Sequence, residues 1–256
     1  MMKKKKKSKV IWNILLVIAL IVMAFSGYML YKELQPELNS QQEQKKLEKI
    51  VKEDTLLNPD WDKLKEVNPD IIAWIYIEGT DINYPIVQTT DNSYYLNHSV
   101  YKEENPYGSI FLDYETPSDF SAYNSILYGH SIAGNFKEMF FTPIKDFEDD
   151  SYFNEHTTLY ILTPEQNYRG DIIAFTKTTE ESYLYTHGDL SDTDKETYEQ
   201  TLKTEAMQYR DNVAIDTDSQ FVMLSTCDLD YGLHSNQRLI LHAVLSSWDK
   251  DITISE

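Results

Sequence analysis

One cysteine occurs in 256 residues, so no disulfide can form within the chain, and the thiol of Cys227 is either free or paired with another molecule. Arginine is nearly as scarce, with Arg169, Arg210 and Arg238 alone. That scarcity and a formal charge of −19 argue against a nucleic-acid partner, because such binding relies on Lys and Arg neutralising phosphates. Six of the lysines crowd into the first nine residues, so the rest of the chain is more acidic still. Beyond that lysine run there is no low-complexity tract and no internal repeat. Long apolar runs are lacking except for one, Val10 to Tyr31, whose only strongly polar member is Asn13.

That run would extend about 33 Å as a helix at 1.5 Å per residue, enough for a bilayer core. Lysines before it stay on the cytoplasmic side, so the chain beyond Tyr31 lies outside the cell. A cleaved signal peptide is the competing reading, with Ala24-Phe25-Ser26 as a passable site. The apolar run continues past it through Tyr28-Met29-Leu30, which favours an uncleaved anchor. The expected organisation is a cytoplasmic basic tail (1–9), a single transmembrane anchor (10–31), a stalk (32–57) and one extracellular domain (58–256). Some 200 residues suffice for one well-cored domain.

Lys32 to Asp54 is rich in Gln, Glu and Lys and reads as a solvated helical stalk broken by Pro36, or as a disordered tether. Asn58-Pro59 supplies an N-cap and first-turn proline for a short helix with Trp61, Leu64 and Val67 on its buried stripe. Asn68-Pro69 ends it. Short strands come next: Ile71 to Ile77, Ile82 to Val87 (with Pro85 marking an edge or bulge), Ser109 to Leu112, Ser125 to Tyr128, Thr158 to Leu162, Asp171 to Phe175, Gln220 to Ser225 and Arg238 to Leu245. Many short strands joined by turns predict a mainly β protein built on a closed or nearly closed barrel. Two helices interrupt it, Phe136 to Phe141 and Asp194 to Tyr209, the second opened by the capping box Thr193-x-x-Glu196.

The strand Phe221-Val-Met-Leu-Ser-Thr-Cys227 ends on the lone thiol, and Arg238 returns eleven residues later. A buried, inert thiol is one reading, since free Cys is often fully buried. An activated nucleophile is the other. With a free pKa near 8.5, only a few per cent of a thiol is thiolate at neutral pH, so a base and a cation are needed beside it. If the two strands pair antiparallel, Cys227 and Arg238 share an end, where Arg238 would hold a carbonyl or oxyanion. Asp228 opposes this, because a neighbouring carboxylate disfavours the thiolate. Of the histidines, His242 alternates within the last strand, while His156 and His187 lie in polar loops as solvated residues. His234 is a rival base in the Cys227–Arg238 loop. His130 is preferred because it ends the strand Ile126-Leu-Tyr-Gly129, with glycine giving it backbone room.

The set Tyr128-Gly-His130-Ser, Leu224-Ser-Thr-Cys227 and Asn236-Gln-Arg238 resembles the His, Cys and Arg motifs of the sortases. Asn68-Pro-Asp-Ile-Ile-Ala-Trp74, Gly79-Thr80, Tyr84-Pro85-Ile-Val-Gln88, Asp91-Asn92 and Gly108-Ser-Ile-Phe-Leu-Asp113 are similar to class B sortases in particular, as is a long helix before the Cys strand. The resemblance covers about residues 58 to 247. It implies an eight-stranded sortase barrel with an N-terminal helix and accessory helices. The implied activity is two-step transpeptidation at the surface of a Gram-positive bacterium. In it, Cys227 attacks the carbonyl of the Thr in a C-terminal sorting signal of surface proteins and forms a thioester. An amine of the cell-wall precursor, of lipid II type, or of a pilin, then takes the acyl group. His130 is the implied acid and base and Arg238 the carbonyl partner. Asn92, Leu96, Thr179, Tyr183, Leu184 and Ser225 fall where class B members line the peptide groove, with packing an equal reading for Leu96 and Leu184. No cofactor or metal is implied. Calcium, used by some class A members, is not expected, and Glu148-Asp-Asp150 reads as a solvated loop.

An L,D-transpeptidase-like enzyme is disfavoured, because that family places His-Gly before its Cys and Arg two residues after it. A plain cysteine hydrolase shares the chemistry with water as acceptor. A membrane-tethered scaffold with a buried thiol gives no account of three motifs together. The segment Trp248 to Glu256 lacks an apolar span and basic tail, so the chain is not expected to be a sorted substrate itself.

Overall fold

A computed structural model of the chain describes residues 3–133, 139–188, 190–216, 218–232 and 235–254. The chain forms two compact units, residues 1–42 and 43–256. A single helix, α1 (Lys3–Val51), runs through the first and into the second. It continues through Pro36, so the expected break is absent: proline costs the helix one hydrogen bond and stops there. Its segment Val10 to Tyr31 exposes its large apolar side chains, and this helix is long and apolar enough to cross a membrane.

Within the second unit, the end of α1 is not a solvated stalk. Leu47 and Val51 are fully buried, clustered with Leu57, Leu64, Ile71 and Trp74. A two-residue hairpin, β1 (Lys52–Glu53) and β2 (Leu56–Leu57), leads into helix α2 (Trp61–Val67). Asp60 caps α2 by accepting from Lys63 N, so the N-cap lies two residues beyond Asn58. Leu64 is its buried residue, and Asn68 ends it.

The remaining strands are β3 (Ile71–Ile77), β4 (Asn83–Val87), β5 (Ile110–Leu112), β6 (Asn124–Tyr128), β7 (Thr158–Leu162), β8 (Asn167–Thr179), β9 (Ala206–Tyr209), β10 (Gln220–Cys227) and β11 (Gln237–Trp248). They form one sheet in the order β11-β10-β6-β5-β4-β3-β7-β8-β9. The β11–β8 pairing closes eight of these strands into a barrel, leaving β9 outside. Closure removes the free edges that invite aggregation. Pro85 faces Trp74 of β3, and the register with β5 begins only at Ile86, so the missing N–H of proline falls where one side is unpaired.

Alternation along the strands sorts the core. On β10, Val222 and Leu224 join the barrel interior while Phe221 and Met223 face an outer cluster. On β11, Leu239, Leu241 and Ala243 point inward and Ile240 outward. Helix α4 (Asp192–Glu205), which lies beyond the short α3 (Asp150–Glu155), contributes Tyr198 and Leu202 to that outer cluster. Its capping box uses Ser191 and Asp194, two residues before the expected pair, and Ala206 to Tyr209 is strand β9 where the sequence predicted helix. The reason is an open edge: β7 pairs with β8 only as far as Asp171, and β9 takes up the partnerless stretch at Ala174 to Thr176. Of the other expected helix, residues 136–138 lie outside the described residues, and Met139 to Phe141 lead into a 3-10 stretch from Thr142 to Glu148.

Candidate active site

Strands β6 and β10 run parallel, and their last shared rung pairs Tyr128 with Ser225. Two residues further along each chain come His130 and Cys227. Both chains leave the rung in the same direction, which brings imidazole and thiol to one rim of the barrel. On its other side, β10 pairs antiparallel with β11, and Cys227 faces Arg238 across the final rung. Neighbours on such a rung share a face of the sheet. A cavity of about 390 Å³ opens at this rim, lined by Leu96, His130, Tyr185, Ser225, Cys227 and Arg238 among others. Cys227 is free and partly exposed.

His130 is fixed at its ring and at its backbone. Its Nε2 lies 2.8 Å from the carbonyl oxygen of Leu96. A carbonyl only accepts, so Nε2 carries a hydrogen and Nδ1 is the nitrogen left for proton exchange. Its backbone carbonyl accepts from Phe141 N at 3.2 Å, and the ring of Phe141 fills the space beside Gly129. A Cβ on Gly129 would meet that ring at 2.6 Å, which accounts for glycine ahead of the histidine. Ser131 and Thr226 share a hydrogen bond of 2.9 Å, tying the His segment to the Cys strand.

Beneath the thiol, the buried hydroxyl of Ser225 meets Tyr185 Oη at 2.6 Å. Burial pushes the Tyr185 phenol up to about 12 against the pull of that bond and of Arg238, so it is neutral. Asp228, next to the thiol in sequence, is only 1% exposed. Its carboxylate accepts from Asp230 N at 3.1 Å and lies 3.9 Å from Lys177 Nζ. That cation offsets a charge the sequence had set against the thiolate. Arg238 donates from Nη1 to the carbonyls of Ser235 and Gln237 and from Nη2 to Glu180.

The six groove positions separate. Leu96 and Ser225 line the cavity. Leu184 is fully buried in the cluster under α4. Tyr183 donates to Asp194 at 3.0 Å, and Thr179 pairs with Gln237 at the end of β8. Asn92 has both ends of its amide engaged, donating to Asp113 Oδ2 at 2.7 Å and accepting from Tyr114 N at 3.0 Å. It clamps two loops together.

His242 is completely buried, and His156 stacks on Tyr152 with ring centroids 3.9 Å apart. His234 lies outside the described residues. His187 is not a free loop residue: it lines the cavity and bonds Glu115 through Nε2 at 2.9 Å. Sequence reading missed Glu180, Tyr185 and His187 as cavity residues, because none lies on a strand or α-helix whose periodicity would report its direction.

Asp113, Glu115 and His187 bring possible metal-ligand atoms within 4.8 Å of one another. Their hydrogen bonds account for all three: His187 holds Glu115, and Asp113 accepts from Asn92 and from Tyr128 at 3.3 Å. Glu148 and Asp149 are likewise engaged, Glu148 with Lys177 at 2.7 Å and Asp149 as the N-cap of α3, so the acidic loop is partly structural.

A thiol, an imidazole and a guanidinium thus meet at one rim of an eight-stranded barrel. The sortase domain family model matches residues 75–246, and the chain belongs to the sortase family. Within it the chain is class B, a group of cysteine transpeptidases. Sortase B of Listeria monocytogenes is 32% identical over 177 residues, covering 69% of this chain and 70% of its own. The crystal structure of a Streptococcus pyogenes class B sortase involved in pilus biogenesis is 33% identical with a TM-score of 0.65, covering 73% of this chain and 98% of its own. A Staphylococcus aureus sortase B–substrate complex shares the fold at a TM-score of 0.75 and 23% identity, covering 84% and 100%.

Proposed function

We propose that the chain is a membrane-anchored sortase that joins surface proteins to an amine through a thioester on Cys227. The observation that carries this is a convergence at one rim: His130 and Cys227 each lie two residues past the last rung of the parallel β6–β10 pair, and the β10–β11 rung sets Arg238 beside the thiol. The Cys227 thiolate attacks the carbonyl carbon of Thr in a C-terminal sorting signal. Arg238 stabilises the negative oxygen of the tetrahedral intermediate. The C–N bond breaks, and the His130 imidazolium protonates the departing amine. The acceptor amine then attacks the thioester, His130 removes its proton, and Cys227 leaves as thiolate. Leu96 and Ser225 form part of the groove that receives the peptide.

Residues 10–31 form the anchor, with the lysines in the cytoplasm and the domain from residue 58 outside. The acceptor is an amine of the cell-wall precursor. Polymerisation of pilins is the second reading, favoured by the similarity to a class B sortase involved in pilus biogenesis.

Mass spectrometry of the detergent-solubilised chain with a panel of Thr-containing sorting pentapeptides tests the reading. A Thr-terminated acyl adduct on Cys227, discharged by added oligoglycine or a diamino acid, is the expected result. A lysine side chain of a pilin peptide discharging it faster would favour polymerisation. A thiol that forms no adduct and resists alkylation would overturn the assignment.

A further inference from the structure

Arg238 is surrounded by acceptors that the proposed reaction does not use. Its Nη1 donates to the carbonyl oxygens of Ser235 and Gln237 at 2.9 and 3.0 Å, and its Nη2 donates to Glu180 Oε2 at 2.6 Å. A guanidinium has five N–H donors, so the Nε hydrogen and one on Nη2 remain for an incoming oxygen. Glu180 is not a loose surface acid. Its backbone N–H donates to the carbonyl of Asn236 at 3.1 Å, and the amide of Asn236 donates to both oxygens of neighbouring Glu181 at 3.2 Å. The segment just after β8 and the turn before β11 are thereby joined at three points, all within two residues of Arg238.

Glu180 is 53% exposed and Arg238 19%. An ion pair this open to water adds little to stability, so stability does not explain the arrangement. Orientation does. Without Glu180 the guanidinium is held by Nη1 alone and its Nη2 edge can swing, whereas a fork held at both nitrogens loses less freedom when it meets a carbonyl. Both residues line the cavity that holds Cys227.

We propose that Glu180 is a positioning residue for the transpeptidation: its carboxylate fixes the Arg238 guanidinium beside Cys227 with two donors left for the substrate oxygen. This rests on the reading of Arg238 as the carbonyl partner. Glu180 touches neither substrate nor sulfur in this role. It acts on the rate of acylation through Arg238 and leaves peptide binding alone.

The test is a double-mutant cycle of Glu180→Ala with Arg238→Lys, following acylation by a sorting peptide, with Glu180→Asp as the conservative variant. For Glu180→Ala, kcat should fall roughly tenfold, as a misoriented catalytic group does, with KM within about twofold and an unchanged melting temperature. Glu180→Asp should recover part of the loss. In the Arg238→Lys background, removing Glu180 should cost almost nothing further, the signature of residues acting as a unit. An unchanged or raised kcat in Glu180→Ala would overturn the proposal, as would a full tenfold loss in the Arg238→Lys background. Full activity of Arg238→Lys with a deficient Glu180→Ala would remove the role assigned to Arg238 and the proposal with it. A deficient Arg238→Lys with a normal Glu180→Ala would remove the Glu180 proposal alone.

Discussion

His130 donates its Nε2 hydrogen to the backbone carbonyl of Leu96 at 2.8 Å, so the residue read as acid and base takes its tautomer from a main-chain oxygen of the groove wall. That oxygen is held close by a glycine. A Cβ on Gly108 would stand 2.8 Å from the Leu96 oxygen and closer still to that of Tyr95, at a φ of +57°.

Gly108→Ala is therefore expected to act at a distance. The added methyl must push the 95–96 backbone aside, and L-residues are strained at this φ. Activity should fall at least tenfold, in step with the displaced His130 tether, and the melting temperature should drop. Peptide kinetics beside a thermal melt checks both. Normal kinetics in a folded Gly108→Ala protein would show that the carbonyl does not control the imidazole.

Cys227→Ala and His130→Ala are each expected to abolish cleavage of a sorting peptide while circular dichroism stays unchanged. Arg238→Lys should lose most activity, because an ammonium keeps the charge but not the planar fork. Full turnover by either alanine variant would refute the assigned chemistry.

Acid sensitivity should trace to His242. Burial drives its pKa from 6.5 down to about 3, with Thr176 Oγ1 at 3.3 Å and Tyr198 Oη at 3.4 Å as its neighbours. The unfolded chain binds a proton near pH 6.5 that the folded chain refuses, so stability is intact above 6.5 and declines as pH falls toward 3. From pH 6.5 to 5 this one group should cost about 2 kcal/mol, at 1.36 kcal/mol per unit. His242→Leu should be less stable at pH 7.5, because two hydroxyls lose a partner, yet show a shallower fall on acidification. Denaturant melts across that range measure the slope, and an identical slope in both proteins would exclude His242.

The rim carries the opposite dependence. Burial lowers the His187 pKa, but the Glu115 carboxylate, the Tyr185 carbonyl and Asp113 outweigh it and leave the value raised. The ion pair with Glu115 is thus present below pH 6.5 and lost as pH rises through the raised value. An NMR titration of the His187 ring should give a midpoint above 6.5, and Glu115→Gln should bring it down. A midpoint unaffected by Glu115→Gln would mean the pair does not form in solution.

Much of the fold was legible from residue order, and the failures have physical causes. Alternating apolar runs revealed the barrel strands, because one face of each must meet the interior. The strand-ending position of Cys227 showed because polar residues interrupt the apolar run there, while β6 stops at Tyr128, two residues short of His130. Helix α4 went wrong at both ends. Thr193-x-x-Glu196 fits the usual capping-box composition better than Ser191-x-x-Asp194, and only the fold selects the latter. Ala206 to Tyr209 suits a helix locally, but an unpaired edge of β8 claims it. Leu184 and Asn92 match groove positions by order, yet one side chain is buried and the other is spent on a loop clamp. Which way a loop side chain turns is decided by its tertiary partners.

The parallel junction of β6 and β10 separates two kinds of change. Cys227 ends β10 and His130 follows two residues after β6, on strands whose spacing the backbone ladder sets at about 4.8 Å. The walls of the groove come from segments outside that ladder, around Leu96 and Tyr185. Exchanging the segment around Tyr185 can reshape the groove while the Leu96 carbonyl keeps its hold on His130, whereas any exchange around Leu96 must preserve that carbonyl.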